Sequence, residues 1–328
     1  MSISNKTSGM NFEGQVQELE SQLAELEELG KTTQLDISSE VDALRGKIAE
    51  AIEQTYSNLS AWDQVRVARH PDRPGVNDYI SQLFDDFFEL HGDKAFGDDP
   101  AIVTGFASIQ GRRLLLVGHR KGTTTKERLE CNFGCAHPEG YRKALRKMKL
   151  AEKMGLPIVT MINTPGAFPG IGAEERGQAA AIAENILEMF SLRTPVVTVV
   201  IGEGGSGGAL GIGIADRVLM MEYAYYSVIT PEGCAAILWK DAERTPEAAE
   251  ALGLTASTLS ELGIIDDVVP EPAGGAHRDR ERALRNMGRA LIDHLDELAA
   301  IPIDDLVGQR REKFRRIAAI PERFPVID

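Results

Sequence analysis

Two copies of one pattern constrain the fold of this chain more than any other feature: a short apolar run, a loop rich in glycine and an amphipathic helix. The first apolar run covers residues 157–162 and the second covers residues 196–201. Runs in which almost every residue is apolar are typical of strands that helices bury on both faces. Repeated strand–loop–helix units therefore predict an α/β fold.

Other predicted elements precede and follow these two strand–loop–helix units. Residues 102–109 and 112–119 favour β-strands and flank Gln110-Gly111, which predicts a β-hairpin. Apolar residues at helical spacing predict an acidic helical hairpin in residues 1–75 and amphipathic helices from Arg278 to the end. We therefore expect a hairpin domain (residues 1–75) and a second domain with a helical tail (residues 76–328).

The charge balance limits the partners of the chain. It has 36 Lys and Arg residues against 50 Asp and Glu residues, a formal net charge of −14 at pH 7. Because such an acidic protein repels nucleic acids and anionic lipids, we expect neither as a partner. Three cysteines indicate free thiols in a reducing compartment, and no apolar run reaches the ~20 residues that span a bilayer. We expect a soluble cytoplasmic protein.

The loop at residues 202–208 has five glycines in seven positions. Its spacing matches the dinucleotide-binding fingerprint, with Glu222 20 residues after Gly202, and also the nucleophile elbow, with Ser206 as the nucleophile. A third interpretation needs no side chain. Gly207 and Gly208 would open a helix with unbonded N–H groups, and a ligand oxygen could approach both because neither has a Cβ. Such donors stabilise negative charge that develops on a carbonyl oxygen.

Several segments, taken in order, resemble one known family. They include Gly202-Glu-Gly-Gly-Ser-Gly-Gly-Ala-Leu210 and Asn163-Thr-Pro-Gly-Ala-Phe-Pro-Gly170, with further matches at residues 68–71, 138–145, 172–178, 230–234 and 270–277. With these motifs the chain resembles the carboxyltransferase α subunit of bacterial acetyl-CoA carboxylase. The resemblance implies a crotonase (ClpP-like) ββα-spiral fold. It also implies an α₂β₂ assembly in which the separate β subunit has a zinc ribbon and the CoA site, with no metal on this chain.

The resemblance also implies a reaction. Biotin, carried covalently by the biotin carboxyl carrier protein and charged by biotin carboxylase, would bring a carboxyl group for transfer to acetyl-CoA. The product would be malonyl-CoA, in the first committed step of fatty acid biosynthesis. The N–H groups of Gly207 and Gly208 would hold the ureido oxygen of biotin, and the same pocket would be lined by Gly166, Ala167, Gly204 and Gly205. Biotin would take the methyl proton, so that no side-chain base is required.

Two other functions stay open on the sequence alone. A stand-alone crotonase-type acyl-CoA hydratase or hydrolase would use Glu203, Glu232 or Ser206 as its catalytic group. A non-catalytic scaffold would use the acidic hairpin. A zinc site at Cys131, Cys135 and His137 is not expected, because structural zinc sites have four ligands and these residues supply three.

A basic segment adds a hypothesis about partners. Arg142, Arg146, Lys149 and Lys153 form a stripe on the predicted helix after Pro138, and more cations precede it at Arg120, Lys121, Lys126 and Arg128. Such a stripe is commonly a solvated helix face. It could also attract an anionic partner, either the carrier domain or the phosphates of CoA.

Overall fold

The computed structural model of the chain describes residues 11–33 and 36–317. In these residues, one mixed sheet contains the strands β1 (Asp85–Glu89), β2 (Ile102–Ile109), β3 (Arg112–His119), β4 (Ile158–Thr164), β5 (Val196–Gly205), β6 (Arg217–Met221), β7 (Tyr225–Ser227) and β8 (Asp267–Val269). Their order is β1-β2-β3-β4-β5-β6-β8, and β7 pairs with the end of β5. The first three strands are antiparallel, and each later pairing is parallel.

Helices surround the sheet. Those of the described residues are α1 (Gly14–Thr33), α2 (Ser38–Tyr56), α3 (Ala61–Ala68), α4 (Val76–Leu83), α5 (Thr125–Glu130), α6 (Pro138–Lys153), α7 (Ile171–Glu175), α8 (Gln178–Met189), α9 (Ser206–Leu210), α10 (Pro231–Leu238), α11 (Thr245–Ala251), α12 (Ala256–Glu261), α13 (Arg280–Ala299) and α14 (Ile303–Ile317). Every residue of β4 and β5 is buried, as the continuous apolar runs predict. The α/β prediction is confirmed.

The predicted β-hairpin is also confirmed, with β2 and β3 at the expected residues. Gln110 and Gly111, which join them, have left-handed backbones with φ of 46° and 79°, the geometry that a two-residue hairpin turn requires. The prediction that residues 202–208 form a loop is partly wrong. Residues 202–205 belong to β5, because Glu203, Gly204 and Gly205 pair with β7, a strand that the sequence analysis missed.

The N-terminal helical hairpin and the two C-terminal helices are confirmed within the described residues. Helices α1 and α2 pack against each other. Arg278, just before α13, holds the hairpin by bonding to Glu13 at 2.8 Å and to Glu20 at 2.6 Å. Residues 1–10, 34–35 and 318–328 lie outside the described part, and the domain boundary at residue 75 stays a prediction. In the residues described, no helix is long and apolar enough to cross a membrane.

Candidate active site

The two loops singled out by sequence meet at one edge of the sheet. Strands β4 and β5 are parallel neighbours, with Ile162 opposite Val200 and Thr164 opposite Gly204. Because parallel strands end at the same edge, the segments that follow them lie side by side. This edge is the usual position of a ligand site in an α/β sheet, and it holds all six predicted site residues.

The main chains of the two loops touch. A Cβ atom added to Gly208 would lie 2.5 Å from the Ala167 nitrogen and 2.5 Å from the Gly166 carbonyl carbon. A Cβ atom on Gly205 would lie 2.1 Å from the Pro165 oxygen. Neither backbone can move aside as a flexible side chain would, so these two positions require glycine. We call residues 166–167 and 205–208 together the glycine cradle.

Gly207 differs from its neighbours. A Cβ atom there would be 3.8 Å from the nearest atom, Cδ1 of Ile182, which is an ordinary contact. Gly207, Gly166 and Ala167 are partly exposed, whereas Gly208 is buried. Gly204 and Gly205 are buried within β5, where close packing explains both glycines. Direct contact between these two residues and a substrate stays a prediction.

The cradle has hydrogen-bond donors without internal partners. Gly207 and Gly208 are the second and third residues of α9, so their N–H groups have no acceptor one turn earlier in the helix. No other acceptor for them occurs among the described residues. Because α9 is a single turn, its macrodipole is weaker than that of the longer helix expected from the sequence. Any stabilisation of a ligand anion here would therefore come mainly from the two N–H groups themselves.

Two buried side chains hold α9 in place, and the sequence analysis gave neither a role in the site. The Tyr141 hydroxyl donates to the Gly208 carbonyl at 3.2 Å. Asn185 Nδ2 donates to the Tyr141 carbonyl at 3.0 Å and to the Gly211 carbonyl at 2.8 Å. One network thus connects α6, α8 and α9 behind the cradle.

A cluster of charged side chains lies on the other side of the β5 end. The buried Glu203 carboxylate accepts from Arg69 Nε at 2.6 Å, from the Tyr225 hydroxyl at 2.8 Å and from Lys121 Nζ. Arg69 also bonds to Glu232 on α10 at 2.5 Å. We call these five residues the Glu203 cluster. The structure thus places Glu203 and Glu232, the two candidate acids of the hydratase alternative, in ion pairs with Arg69.

The protonation state of Glu203 bears on the alternative functions. Burial opposes its ionisation, but Lys121 and Arg69 outweigh burial and lower the pKa of Glu203 to about 2. A carboxyl group that is fully ionised at neutral pH has no proton to donate. Glu203 therefore does not fit the role of general acid in a hydratase.

The other two sequence patterns at this loop lack their expected surroundings. Ser206 has the left-handed backbone of a nucleophile elbow, with φ of 55°. However, no hydrogen bond joins the buried His119 to Ser206 among the described residues, so His119 does not activate Ser206. Gly202 and Gly204 lie inside β5 and not in a turn before a helix, which excludes the dinucleotide fingerprint.

The cysteine segment and the basic stripe have ordinary partners. His137 stacks on Phe168, with 4.2 Å between ring centroids, and across the described residues no group of His, Cys, Asp and Glu could hold a metal ion. In the stripe, Arg142 bonds to Asp93 at 2.8 Å and Lys149 to Glu188 at 3.1 Å. Part of the predicted anion-attracting charge is therefore neutralised within the chain.

Comparison with known proteins identifies the family. The model of the acetyl co-enzyme A carboxylase carboxyltransferase-like family matches residues 9–318. The chain belongs to this family. The acetyl-coenzyme A carboxylase carboxyl transferase subunit alpha of Methylococcus capsulatus is 54% identical over 304 residues, which cover 93% of this chain and 95% of that relative. The subunit of the same name from Rhodopirellula baltica is 52% identical and covers 96% of this chain and 98% of the relative.

Solved structures agree with the fold that this family membership implies. The 12S transcarboxylase hexamer with hydrolysed methylmalonyl-coenzyme A has a TM-score of 0.58 at 22% identity. The match covers 74% of this chain and 45% of that one, so this chain corresponds to less than half of the transcarboxylase. The β subunit of Pseudomonas aeruginosa geranyl-CoA carboxylase has a TM-score of 0.54 at 19% identity, covering 75% and 46% of the two chains. The crotonase fold predicted from the resemblance is confirmed.

Proposed function

We propose that this chain is the biotin-side half of an acetyl-CoA carboxyltransferase, which forms malonyl-CoA. Family membership supports the activity, since relatives with more than half of their residues identical are named as this subunit. The observation that carries the assignment of the site is the pair of unpartnered N–H groups at Gly207 and Gly208, where an added Cβ on Gly207 would make only an ordinary contact.

The cradle fits the group that it would hold. When bound, carboxybiotin supplies the carboxyl group, and negative charge develops on its ureido oxygen. Gly207 and Gly208 would donate their N–H groups to that oxygen, while Gly166 and Ala167 would border it on the opposite side. One such donor is typically worth about 10²–10³ in rate. Because no ionised side chain lies in the cradle, the stabilisation comes from main-chain dipoles alone.

The same proposal assigns the partners. A β subunit would complete the active site from its own side, with zinc in its own ribbon, and an α₂β₂ tetramer would result. The biotin carboxyl carrier protein would deliver biotin after its carboxylation by biotin carboxylase. The structure leaves the cradle without an internal acceptor for its donors, which is consistent with a ligand that arrives on another chain.

Malonyl-CoA formation with and without the β subunit tests this proposal. The chain alone should be inactive, and the mixture should be active. Gly207→Val should lower kcat of the mixture by about 10²–10³, because the new side chain would occupy the space left for the ligand oxygen. Its unfolding midpoint should change little, because a Cβ atom at Gly207 meets only Ile182, at the ordinary distance of 3.8 Å.

Gly46→Val is the matched control. Gly46 has nothing within 4 Å of an added Cβ, and it lies on α2, away from the cradle. We expect this variant to retain full carboxyl transfer. Turnover of an acyl-CoA by the chain alone would favour the hydratase or hydrolase alternative, and full activity of Gly207→Val would contradict the proposed role of the cradle.

A further inference from the structure

Helix α8 has two buried amide side chains, Gln178 at its first residue and Asn185 seven residues later. Seven residues are about two helical turns, so both side chains lie on one face of the helix. Gln178 is 4% exposed and Asn185 is 1% exposed. Asn185 holds the α9 side of the cradle through the carbonyl groups of Tyr141 and Gly211. Gln178 therefore lies where it can hold the other side.

The amide nitrogen of Gln178 donates to two carbonyl groups. One is that of Phe168, which directly follows the cradle residues 166–167, at 3.0 Å, and the other is that of Ala136 at 2.8 Å. Because both neighbours are acceptors, the nitrogen and not the oxygen of the amide must face them. The Phe168 N–H also donates to the Ala136 carbonyl, at 3.0 Å. Gln178 thus fastens the loop side of the cradle to the segment that contains Ala136.

The segment that contains Ala136 is itself anchored. The His137 N–H donates to the carboxylate of Asp99 at 2.7 Å, and the His137 ring stacks on Phe168. Asp99 is 1% exposed and lies just before β2. The loop side of the cradle is therefore tied to the sheet through this segment.

The two amide groups share a second property. Gln178 Oε1 and Asn185 Oδ1 are both buried, and neither has a hydrogen-bond partner among the residues that the structure describes. A buried acceptor without a partner costs free energy. An apolar side chain in either place would avoid this cost but would lose both donor bonds. The donor bonds to the two sides of the cradle therefore explain why amides occupy these positions.

We propose that Gln178 is a positioning residue for carboxyl transfer, which fixes the loop side of the cradle at a set distance from α9. With Asn185 it makes α8 a brace, since one end of the helix holds Phe168 and the other holds Gly211. This inference rests on the proposed function, because only a reaction in the cradle makes the distance between its two sides matter. A displacement of about 1 Å in an active site can cost about 10² in rate.

Gln178→Met tests this role, because methionine has a similar length and no donor. In the mixture with the β subunit, kcat for malonyl-CoA formation should fall by about ten- to a hundredfold. KM for acetyl-CoA should not change, because acetyl-CoA would bind on the β subunit. In a Gly207→Val background the same change should lower kcat by less than about twofold, since the cradle is already blocked. A role in stability alone would give the same factor in both backgrounds and would overturn the proposal.

Thr194→Val is the matched control. Thr194 is 2% exposed and its hydroxyl donates to the Leu156 carbonyl at 2.8 Å, so this variant also loses a buried bond to the main chain. Thr194 precedes β5 and thus lies at the opposite edge of the sheet from the cradle. We expect its unfolding midpoint to fall and its kcat to equal that of the wild type. Equal kcat values for Thr194→Val and Gln178→Met, measured where both are folded, would contradict the positioning role.

Amide hydrogen exchange of the full chain alone separates this inference from the proposed function, because it needs neither a β subunit nor turnover. In Gln178→Met the Phe168 amide should exchange at least about tenfold faster than in the wild type, and in Thr194→Val it should not change. Unchanged exchange in Gln178→Met would refute the brace even if the wild type forms malonyl-CoA. Faster exchange together with an inactive wild-type mixture would refute the proposed function, and with it a role in catalysis, although Gln178 would still be shown to hold the loop.

Discussion

The glycine cradle and the Glu203 cluster both lie where β4 and β5 end, but opposite kinds of group form them. The cradle consists of main-chain atoms in contact, with Gly208 packed against residues 166–167. The cluster consists of ionised side chains, in which Glu203 bonds to Arg69 and Lys121. One region presents donors without partners, and the other has satisfied almost every charge that it contains.

Because of this difference, we connect the cradle with reactivity and the cluster with stability. A site that must receive negative charge from a ligand needs donors that the fold itself does not use. A buried carboxylate needs the reverse, because an unpaired charge in the interior is costly. We therefore expect changes in the cradle to act on carboxyl transfer and changes in the cluster to act on the free energy of unfolding.

The largest effect should come from Gly208→Ala. Its Cβ would overlap the main chain of Ala167, and such overpacking typically costs about 1–3 kcal/mol of unfolding free energy. Because the collision also separates the two loops, kcat should fall by at least about 10². Urea unfolding and malonyl-CoA formation measure the two effects.

Gly207→Ala is the paired control, since its Cβ meets only Ile182 at an ordinary distance. It should leave the free energy of unfolding unchanged within error. Equal destabilisation of the two alanine variants would show that the cradle is not packed as described, and it would remove the contrast between these neighbouring glycines.

The Glu203→Gln variant should lower the free energy of unfolding while having little effect on carboxyl transfer. It keeps the shape of the side chain but leaves Arg69 and Lys121 without their shared anion. We expect a loss of about 1–3 kcal/mol in unfolding free energy, at the lower end because both cations are 26% exposed. Carboxyl transfer at a temperature where the variant is folded should fall by less than about tenfold. A 100-fold loss without destabilisation would place Glu203 in the catalytic machinery.

Acid should weaken the cluster in a defined range of pH. The pKa of Glu203 falls from 4.5 to about 2 on folding, because Lys121 and Arg69 outweigh the effect of burial. A lowered folded-state pKa adds stability above the unfolded pKa, and this stability is lost as the pH falls from about 4.5 towards 2. Between pH 6 and pH 3, the wild type should therefore lose more unfolding free energy than Glu203→Gln. Parallel losses would show that Glu203 is not held as an ionised group.

The sequence predicts the cradle better than the cluster for a physical reason. Glycine density and apolar runs are local, so the hairpin at Gln110-Gly111, the buried strands and the six predicted site positions, five of them in the cradle, could all be found. Residues of the Glu203 cluster lie at positions 69, 121, 203, 225 and 232, and only the fold brings them together. The three residues of β7 were missed because their pairing with β5 is tertiary. Asn185 is a polar residue between Ile182 and Ile186, and this position could have indicated a structural role for its side chain.

The smallest effect should come from Tyr141→Phe, which tests whether the Tyr141 hydroxyl holds α9 in place. It removes one hydrogen bond to the Gly208 carbonyl, worth about 1 kcal/mol in unfolding free energy. We expect kcat to fall a few-fold as α9 loses one of its supports.

Tyr79→Phe is the matched control, because Tyr79 is equally buried and its hydroxyl has no partner among the described residues. Removing that hydroxyl should leave stability unchanged or raise it, since an unsatisfied buried polar group is lost. If both variants lose the same stability, the loss comes from the ring environment, and Tyr141 does not hold the cradle through Gly208.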